Sequence, residues 1–222
     1  MDFTSLTKSW VILALLPMVF SHNAQANLIA NGNFEAGNVG FTSDYSYQTT
    51  SIYGPATYAI TTNTSLVHPS GRLYHDHTSG RGNMMAINGA ITPGKKVWGD
   101  TVDIVANTNY IFSMWLASWT STNPALLNLS LNAGGLDIGT VSAPTTTGLW
   151  DHHTFAFNSS SLTGPIELSI VDRTLDWGGN DFAIDDLSLE RVKAPAPAAA
   201  LLFGLGLISL SLCRKKCAKS AG

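Results

Sequence analysis

The chain has 222 residues and a formal net charge of −3, with 45% hydrophobic and only 12% charged residues. From Asn27 to Lys193, seven Lys and Arg stand against fourteen Asp and Glu, which gives this part a formal charge of −7. Because phosphate binding needs concentrated Lys and Arg, this balance argues against nucleic acid as a partner and favours a neutral sugar or a cation.

The first 26 residues have the features of a secretory signal peptide. Lys8 precedes an apolar run from Trp10 to Phe20, and residues 24–26 supply the small side chains that signal peptidase requires. A buried N-terminal helix is the alternative, but the run lacks the capped and charged flanks of such a helix. The sequence therefore predicts cleavage before Asn27 and export of the protein.

Alternation of apolar and polar residues dominates the middle of the chain, and no long stretch has helical periodicity. In one such stretch, Tyr110, Phe112, Met114 and Leu116 fall on a single face. Frequent Gly-containing turns separate the short strands, so we expect an all-β domain over 27–193, most simply a jelly-roll β-sandwich. The predicted strands are 28–29, 56–61, 83–88, 97–105, 109–119, 126–132, 136–141, 152–157, 166–172 and 181–190.

Two motifs at the ends of this domain carry a resemblance. The stretch NLIANGNFEAG spans 27–37, and NDFAIDDLSL spans 180–189. Together with the aromatic strand YIFSMWLAS between them, they resemble galactose-binding-like jelly rolls used as carbohydrate-binding modules, especially those of families 4, 9 and 22. The resemblance implies a β-sandwich whose first and last strands lie near one another.

The resemblance also implies a structural calcium site at the two ends of the domain. By position, Glu35 and Asp185 or Asp186 would be ligands, the carbonyl of Asn33 a third, and Asp76 could complete the shell. Calcium prefers several oxygen ligands, and a bound dication would relieve repulsion between neighbouring carboxylates. Solvated charge at an ordinary strand edge is the alternative for the Asp pair.

Sugar binding needs flat apolar faces on which pyranose rings stack, bordered by groups that bond the hydroxyls. Trp115 and Trp119 share the strand face opposite Tyr110, and Trp177 lies in a polar turn. These three tryptophans are the predicted ligand-binding residues, with a packing role left open for Trp115.

Metal catalysis and hydrolysis have little support in the sequence. The His75–His77 and His152–His153 pairs lack a third zinc ligand at a recognisable spacing. No nucleophile elbow, Walker-type loop or His-Glu-x-x-His motif is present, so we expect no enzyme. Asp172 and Asp176 are the only candidates for a glycosidase carboxylate pair, by proximity alone.

The C-terminal segment, 194–222, combines a proline pair, a short apolar stretch and a basic cluster. The apolar part, 198–212, is below the roughly twenty residues that cross a bilayer comfortably, and the cluster after it would stay in the cytoplasm. This order resembles the PEP-CTERM sorting signal of Gram-negative bacteria, although Ala196 stands where family members usually carry Glu. The residues concerned are Pro195, Pro197, Arg214, Lys215 and Lys216.

The PEP-CTERM resemblance implies processing by an exosortase after transient anchoring in the inner membrane, then delivery to the cell surface or the extracellular polysaccharide matrix. A plain C-terminal membrane anchor is the alternative and predicts the same topology. The sequence as a whole predicts an exported, non-catalytic protein that binds extracellular carbohydrate. A structural biofilm-matrix or adhesion protein without sugar recognition, and a small glycan-active hydrolase, are the alternatives.

Overall fold

The structure is a computed structural model that describes residues 26–72, 74–132 and 135–192. The predicted signal peptide, except residue 26, and the predicted sorting segment at 194–222 lie outside the described residues. Among the residues that are described, no helix is both long enough and apolar enough to cross a membrane.

The described ranges contain ten strands and one short 3-10 helix at Thr64–Leu66. The strands are β1 (Ser46–Tyr47), β2 (Thr57–Thr61), β3 (Met84–Asn88), β4 (Lys96–Ile104), β5 (Asn109–Ser118), β6 (Leu126–Leu131), β7 (Leu136–Ser142), β8 (Asp151–Asn158), β9 (Gly164–Asp172) and β10 (Phe182–Arg191).

These strands form two sheets, in the order β1-β2-β3-β10-β5-β8 and β4-β9-β6-β7. The prediction of an all-β jelly-roll sandwich is confirmed. Nine predicted strands match β2 to β10 within a few residues, whereas the predicted strand at 28–29 is a bend and β1 was missed. β1 is only two residues long and both are exposed, so it has no alternation that a sequence pattern could display.

The main core lies between the sheets. Tyr110, Phe112, Met114 and Leu116 are all fully buried, as their shared strand face predicts. Opposite them, alternate residues of β6 and β9 fill the inner face of the smaller sheet, among them Leu129 and Ile170. Burial of large apolar side chains on both inner faces is what holds the two sheets together.

β10 runs through the middle of the larger sheet, between β3 and β5. Its pairing with β5 shifts register between Asp185 and Ser188, and Asp186 has a φ of 49° in the left-handed region. Such a bulge bends a strand and redirects its side chains. Here it lies next to two adjacent carboxylates, Asp185 and Asp186.

Candidate functional site

The outer face of the larger sheet is covered by the chain itself. Ala59, Ala86, Ala183 and Ala117 lie side by side across β2, β3, β10 and β5 in register. These small side chains leave a flat surface, on which residues of the 62–74 segment pack to form a second, smaller hydrophobic cluster. The outer sheet face is therefore not an open binding surface over these strands.

The loop at 75–83 continues this cover and gathers acidic residues from three parts of the chain. Asp76 Oδ2 accepts from the Ser79 N–H (2.7 Å), and Asp185 Oδ2 accepts from the His77 N–H (2.8 Å). Glu35 Oε1 accepts from the N–H of Asn83 at 3.0 Å. With Asp186, which bonds Thr78 of the same loop, four of the five predicted calcium ligands contact this loop or belong to it.

The Glu35 carboxylate approaches this loop closely at Gly82. A Cβ at Gly82 would clash with the Glu35 carboxylate, so a larger residue there would force this side chain to move away from the loop. The fifth predicted ligand, Asn33, lines a shallow cavity of about 490 Å³ together with Asp186. Asp186 in turn accepts from Thr78 Oγ1 at 2.7 Å and contacts His77 Nδ1 at 2.7 Å.

The donor set fits calcium in chemistry and charge, since the ion takes oxygen ligands and several carboxylates lie around one loop. Burial, followed by the neighbouring Asp186 charge, raises the pKa of Asp185 to about 7. A nearby dication would favour the charged form. However, the carboxylates accept hydrogen bonds from the loop, and among residues 26–72, 74–132 and 135–192 no three His, Cys, Asp or Glu stand as a metal-holding group.

The same loop covers Trp115. The His77 ring stacks on the Trp115 ring, with 3.5 Å between ring centroids and 16° between ring planes. His152 is the partner of Trp115 on the neighbouring strand β8, and the centroids of their rings are 4.8 Å apart. The half-buried Trp115 ring therefore contacts two imidazoles, one of them stacked on it, which leaves less of its surface for a sugar ring.

Trp119 requires a correction, because it has no exposed surface. Its indole Nε1 donates to the Phe182 carbonyl at 2.8 Å, and its ring packs on His68 at 4.8 Å between centroids. The alternating pattern placed Trp119 correctly on the outer face of β5. It could not show that the 62–74 segment buries that face.

Trp177 alone of the three predicted tryptophans is open to solvent, with 78% of its surface exposed. It borders a cavity of about 620 Å³, here termed the aromatic cavity, which is also lined by Tyr53, 71% exposed. Tyr53 stacks one ring face on His68, at 5.4 Å and 15°. The lining of this cavity also includes Arg72, Asn88, Asn123 and Asp181.

Buried and backbone contacts hold the two exposed aromatics in place. Asn88 Nδ2 donates to the carbonyl of Ile52, next to Tyr53, at 2.8 Å. Asn123 Nδ2 donates to the carbonyl of Gly178, next to Trp177, at 2.9 Å. Gly179 has a φ of 116°, and a Cβ there would clash with the Thr122 carbonyl, so this close approach requires glycine.

Burial determines the protonation of the groups beneath the cavity. It lowers the pKa of His68, so this imidazole is neutral at pH 7. It also raises the pKa of Asp181 to about 7, with the Asp172 charge adding to the increase. Asp181 accepts weakly from the Gly89 N–H at 3.4 Å.

The remaining candidates do not come together in the described ranges. Asp172 is buried and lines a different cavity of about 560 Å³ over the smaller sheet, where Lys96 pairs with Glu167. Asp176 is exposed and lines neither cavity, so the structure does not bring it with Asp172 to one binding site.

Sequence reasoning missed several residues of the aromatic cavity. Tyr53 precedes Gly54-Pro55, a turn signal that could have indicated an exposed aromatic at a loop tip. Arg72, Asn88 and Asn123 belong to three segments far apart in the chain and carry no shared motif. Only the fold brings them to one end of the sandwich.

No family model matches this chain, and no curated protein sequence matches it. Solved structures do share its fold. The CBM22-1 xylan-binding domain from Paenibacillus barcinonensis Xyn10C is 12% identical, with a TM-score of 0.52 over 78% of this chain and 98% of that chain. The Stig cyclase Fisc from Fischerella sp. TAU is 11% identical, with a TM-score of 0.54 over 76% and 98%.

A third similar structure contains the CBM22-1 and GH10 modules of Clostridium thermocellum endo-1,4-beta-D-xylanase 10B, complexed with xylohexaose. It is 14% identical, with a TM-score of 0.50 over 78% of this chain and 30% of that chain. At these identities the likeness establishes the β-sandwich fold alone. Since the neighbours include both carbohydrate-binding modules and a cyclase, the function has to be argued from the site.

Proposed function

We propose that this chain is an exported, non-catalytic protein whose β-sandwich binds extracellular carbohydrate in the aromatic cavity. The observation that carries the proposal is a cavity lined by two exposed aromatic rings, Trp177 and Tyr53, together with amide, hydroxyl and guanidinium groups. Sugar rings stack on such aromatic faces while polar groups bond their hydroxyls. The xylan-binding domain among the structural neighbours supports this assignment.

Contacts made by its loop keep Trp177 exposed. Its loop is held by Asn123 and by the close packing of Gly179 against Thr122, so the ring projects from a fixed backbone. A large aromatic that stays in water on a fixed loop is typical of binding surfaces. Prearranged rings also lose little conformational freedom when a ligand binds.

Replacement of Trp177 by alanine is expected to weaken polysaccharide binding by at least about tenfold, since a buried aromatic anchor contributes on the order of 2 kcal/mol. Tyr53→Ala should have a similar effect. Binding of the full-length protein in detergent can be measured on a glycan array and then by calorimetry with each polysaccharide that binds.

Tyr47→Ala is the matched control, because Tyr47 is 39% exposed and packs on Tyr58 outside the aromatic cavity. It should bind as the wild type does. Equal binding by all three variants would contradict the proposed site, and release of reducing sugar would instead favour a hydrolase.

Calcium is the proposed structural cofactor, with Glu35, Asp76, Asp185 and Asp186 as its side-chain ligands. Bound calcium would neutralise carboxylates that come from the first turn, the 75–83 loop and β10, and so join these segments. A chelator such as EGTA is then expected to lower the melting temperature by about 5–10 °C. This corresponds to roughly 2.7 kcal/mol of linkage at a hundredfold excess over Kd.

Asp186→Asn provides the comparison for the chelator experiment. It removes one ligand charge at an exposed edge of the cluster, so its melting temperature should respond much less to EGTA. Addition of calcium should restore the wild type but not the variant. A wild-type melting curve that EGTA leaves unchanged would remove calcium from the proposal.

The proposed route to the surface rests on the resemblance of residues 194–222 to a sorting signal. An exosortase-type enzyme would act near Pro195 and Pro197 while the apolar stretch holds the chain in the inner membrane of a Gram-negative bacterium. The domain would then be released to the cell surface or the polysaccharide matrix. A carbohydrate-binding domain delivered there meets its ligand in place.

A further inference from the structure

The aromatic cavity contains a single cation among its lining residues, Arg72. Its backbone is fixed, because its carbonyl accepts from Thr64 Oγ1 at 2.6 Å. Its guanidinium is exposed and takes part in no hydrogen bond or salt bridge within the described part of the chain. The cavity therefore presents a guanidinium whose five donors face solvent or ligand.

The other titratable groups that line the cavity do not offset this charge. His68 is buried and neutral, and its Nδ1 already accepts from the Ser70 N–H at 3.1 Å. Asp181 is 7% exposed, lies against Gly89, and is only partly ionised near neutral pH. Asp76, near Arg72 in sequence, and Asp176, next to Trp177, are not among the lining residues.

We propose that the ligand of the aromatic cavity is an acidic sugar, whose carboxylate or sulfate group pairs with Arg72 while its ring stacks on an exposed aromatic ring of the lining, Trp177 or Tyr53. This inference rests on the proposed function and specifies its ligand class. A guanidinium binds planar oxyanions through two parallel hydrogen bonds, a match that neutral hydroxyls do not offer. In a cavity that excludes part of the solvent, the pair is stronger than on an open surface.

The domain charge of −7 does not oppose this assignment. At physiological salt, charges more than about 8 Å apart are largely screened, whereas a pair at hydrogen-bond distance is not. The domain's overall charge disfavours dense polyanions with many phosphate groups. The same overall charge does not prevent a single anionic sugar group from pairing with a single arginine.

Binding to matched oligosaccharides tests the inference. The probes are oligogalacturonate against galactan oligosaccharide, oligoglucuronate against a β-glucan oligosaccharide, and a sulfated galactan oligosaccharide for the second kind of anion. The full-length protein is expected to bind an acidic probe at least about tenfold more tightly than its neutral partner. Arg72→Gln should abolish that preference without changing the melting temperature, because the side chain is exposed.

Arg72→Lys separates charge from geometry, because lysine keeps the positive charge but cannot form two parallel hydrogen bonds to an oxyanion. This variant should retain only part of the preference for acidic probes. Wild-type binding to a neutral probe that equals or exceeds binding to its acidic partner would overturn the acidic class. If Trp177→Ala still abolished that neutral binding, the proposed function would stand. Binding to none of the probes, or an acidic preference unaffected by Arg72→Gln, would also overturn the inference.

Discussion

Replacement of Trp119 by alanine is expected to lower the free energy of unfolding by about 3–5 kcal/mol, one of the largest effects available in this domain. The side chain is fully buried between the Ala117–Ala183 surface and the 62–74 segment, so its removal leaves a cavity that the fixed sheet cannot close. It also removes the donor to the Phe182 carbonyl. The loss should appear as a lower urea midpoint with an unchanged slope.

Two further variants make this result interpretable. Trp119→Phe keeps most of the ring but not the indole N–H, and should cost only about 1–2 kcal/mol through the lost hydrogen bond. Trp177→Ala removes an equally large side chain from water and should change stability by less than about 0.5 kcal/mol. A Trp119→Ala protein as stable as the wild type would mean that the 62–74 segment does not pack on the sheet.

Alternation in the sequence was enough to predict nine of the ten described strands and the core of the fold. Tyr110, Phe112, Met114 and Leu116 bury together because a strand has period two and one face of β5 meets the opposing sheet. Such patterns report which residues share a face. They do not report what lies over the second face.

That limit explains the uneven result for the tryptophans. Trp115 and Trp119 have the alternation expected of two exposed residues on one strand face. Neighbouring segments without periodicity cover them, the 75–83 loop over Trp115 and the 62–74 segment over Trp119. Trp177 sits in a Gly-rich turn, where local sequence alone predicts exposure. Its partners, Tyr53 and Arg72, come from loops whose meeting depends on the complete sheet order, which no local pattern encodes.

The stability of the domain is expected to fall as pH rises from 5 to 8, because buried carboxylic acids must ionise, Asp172 and Asp181 as well as Asp185. Asp172 and Asp181 are 2% and 7% exposed, and burial is the main cause that raises the pKa of each to about 7. In the unfolded chain both ionise near pH 4. Between these values the folded state holds protons that the unfolded state has lost, so stability is complete at low pH and decreases as pH passes through 7.

The pKa shifts of Asp172 and Asp181 determine how much these two groups change the free energy of unfolding with pH. Each carboxyl contributes at most on the order of 4 kcal/mol, since one pKa unit corresponds to about 1.4 kcal/mol. The sum is smaller because Asp172 and Asp181 act on each other and water can relax around them. A decrease of a few kcal/mol in the free energy of unfolding, measured by urea titration at each pH, is the expected result.

The double variant Asp172→Asn with Asp181→Asn isolates this effect, because neutral amides of the same shape do not titrate. Asp172 accepts from Asn180 Nδ2 at 3.2 Å and from the Thr174 N–H at 2.9 Å, and an amide oxygen can keep only one of these bonds. The dependence of stability on pH, and not its absolute value, therefore carries the comparison. The variant should gain stability relative to wild type as pH rises from 5 to 8, whereas Asp151→Asn, at an exposed position, should follow the wild type. Parallel pH curves for the wild type and the double variant would show that the buried pair is already ionised in the folded protein.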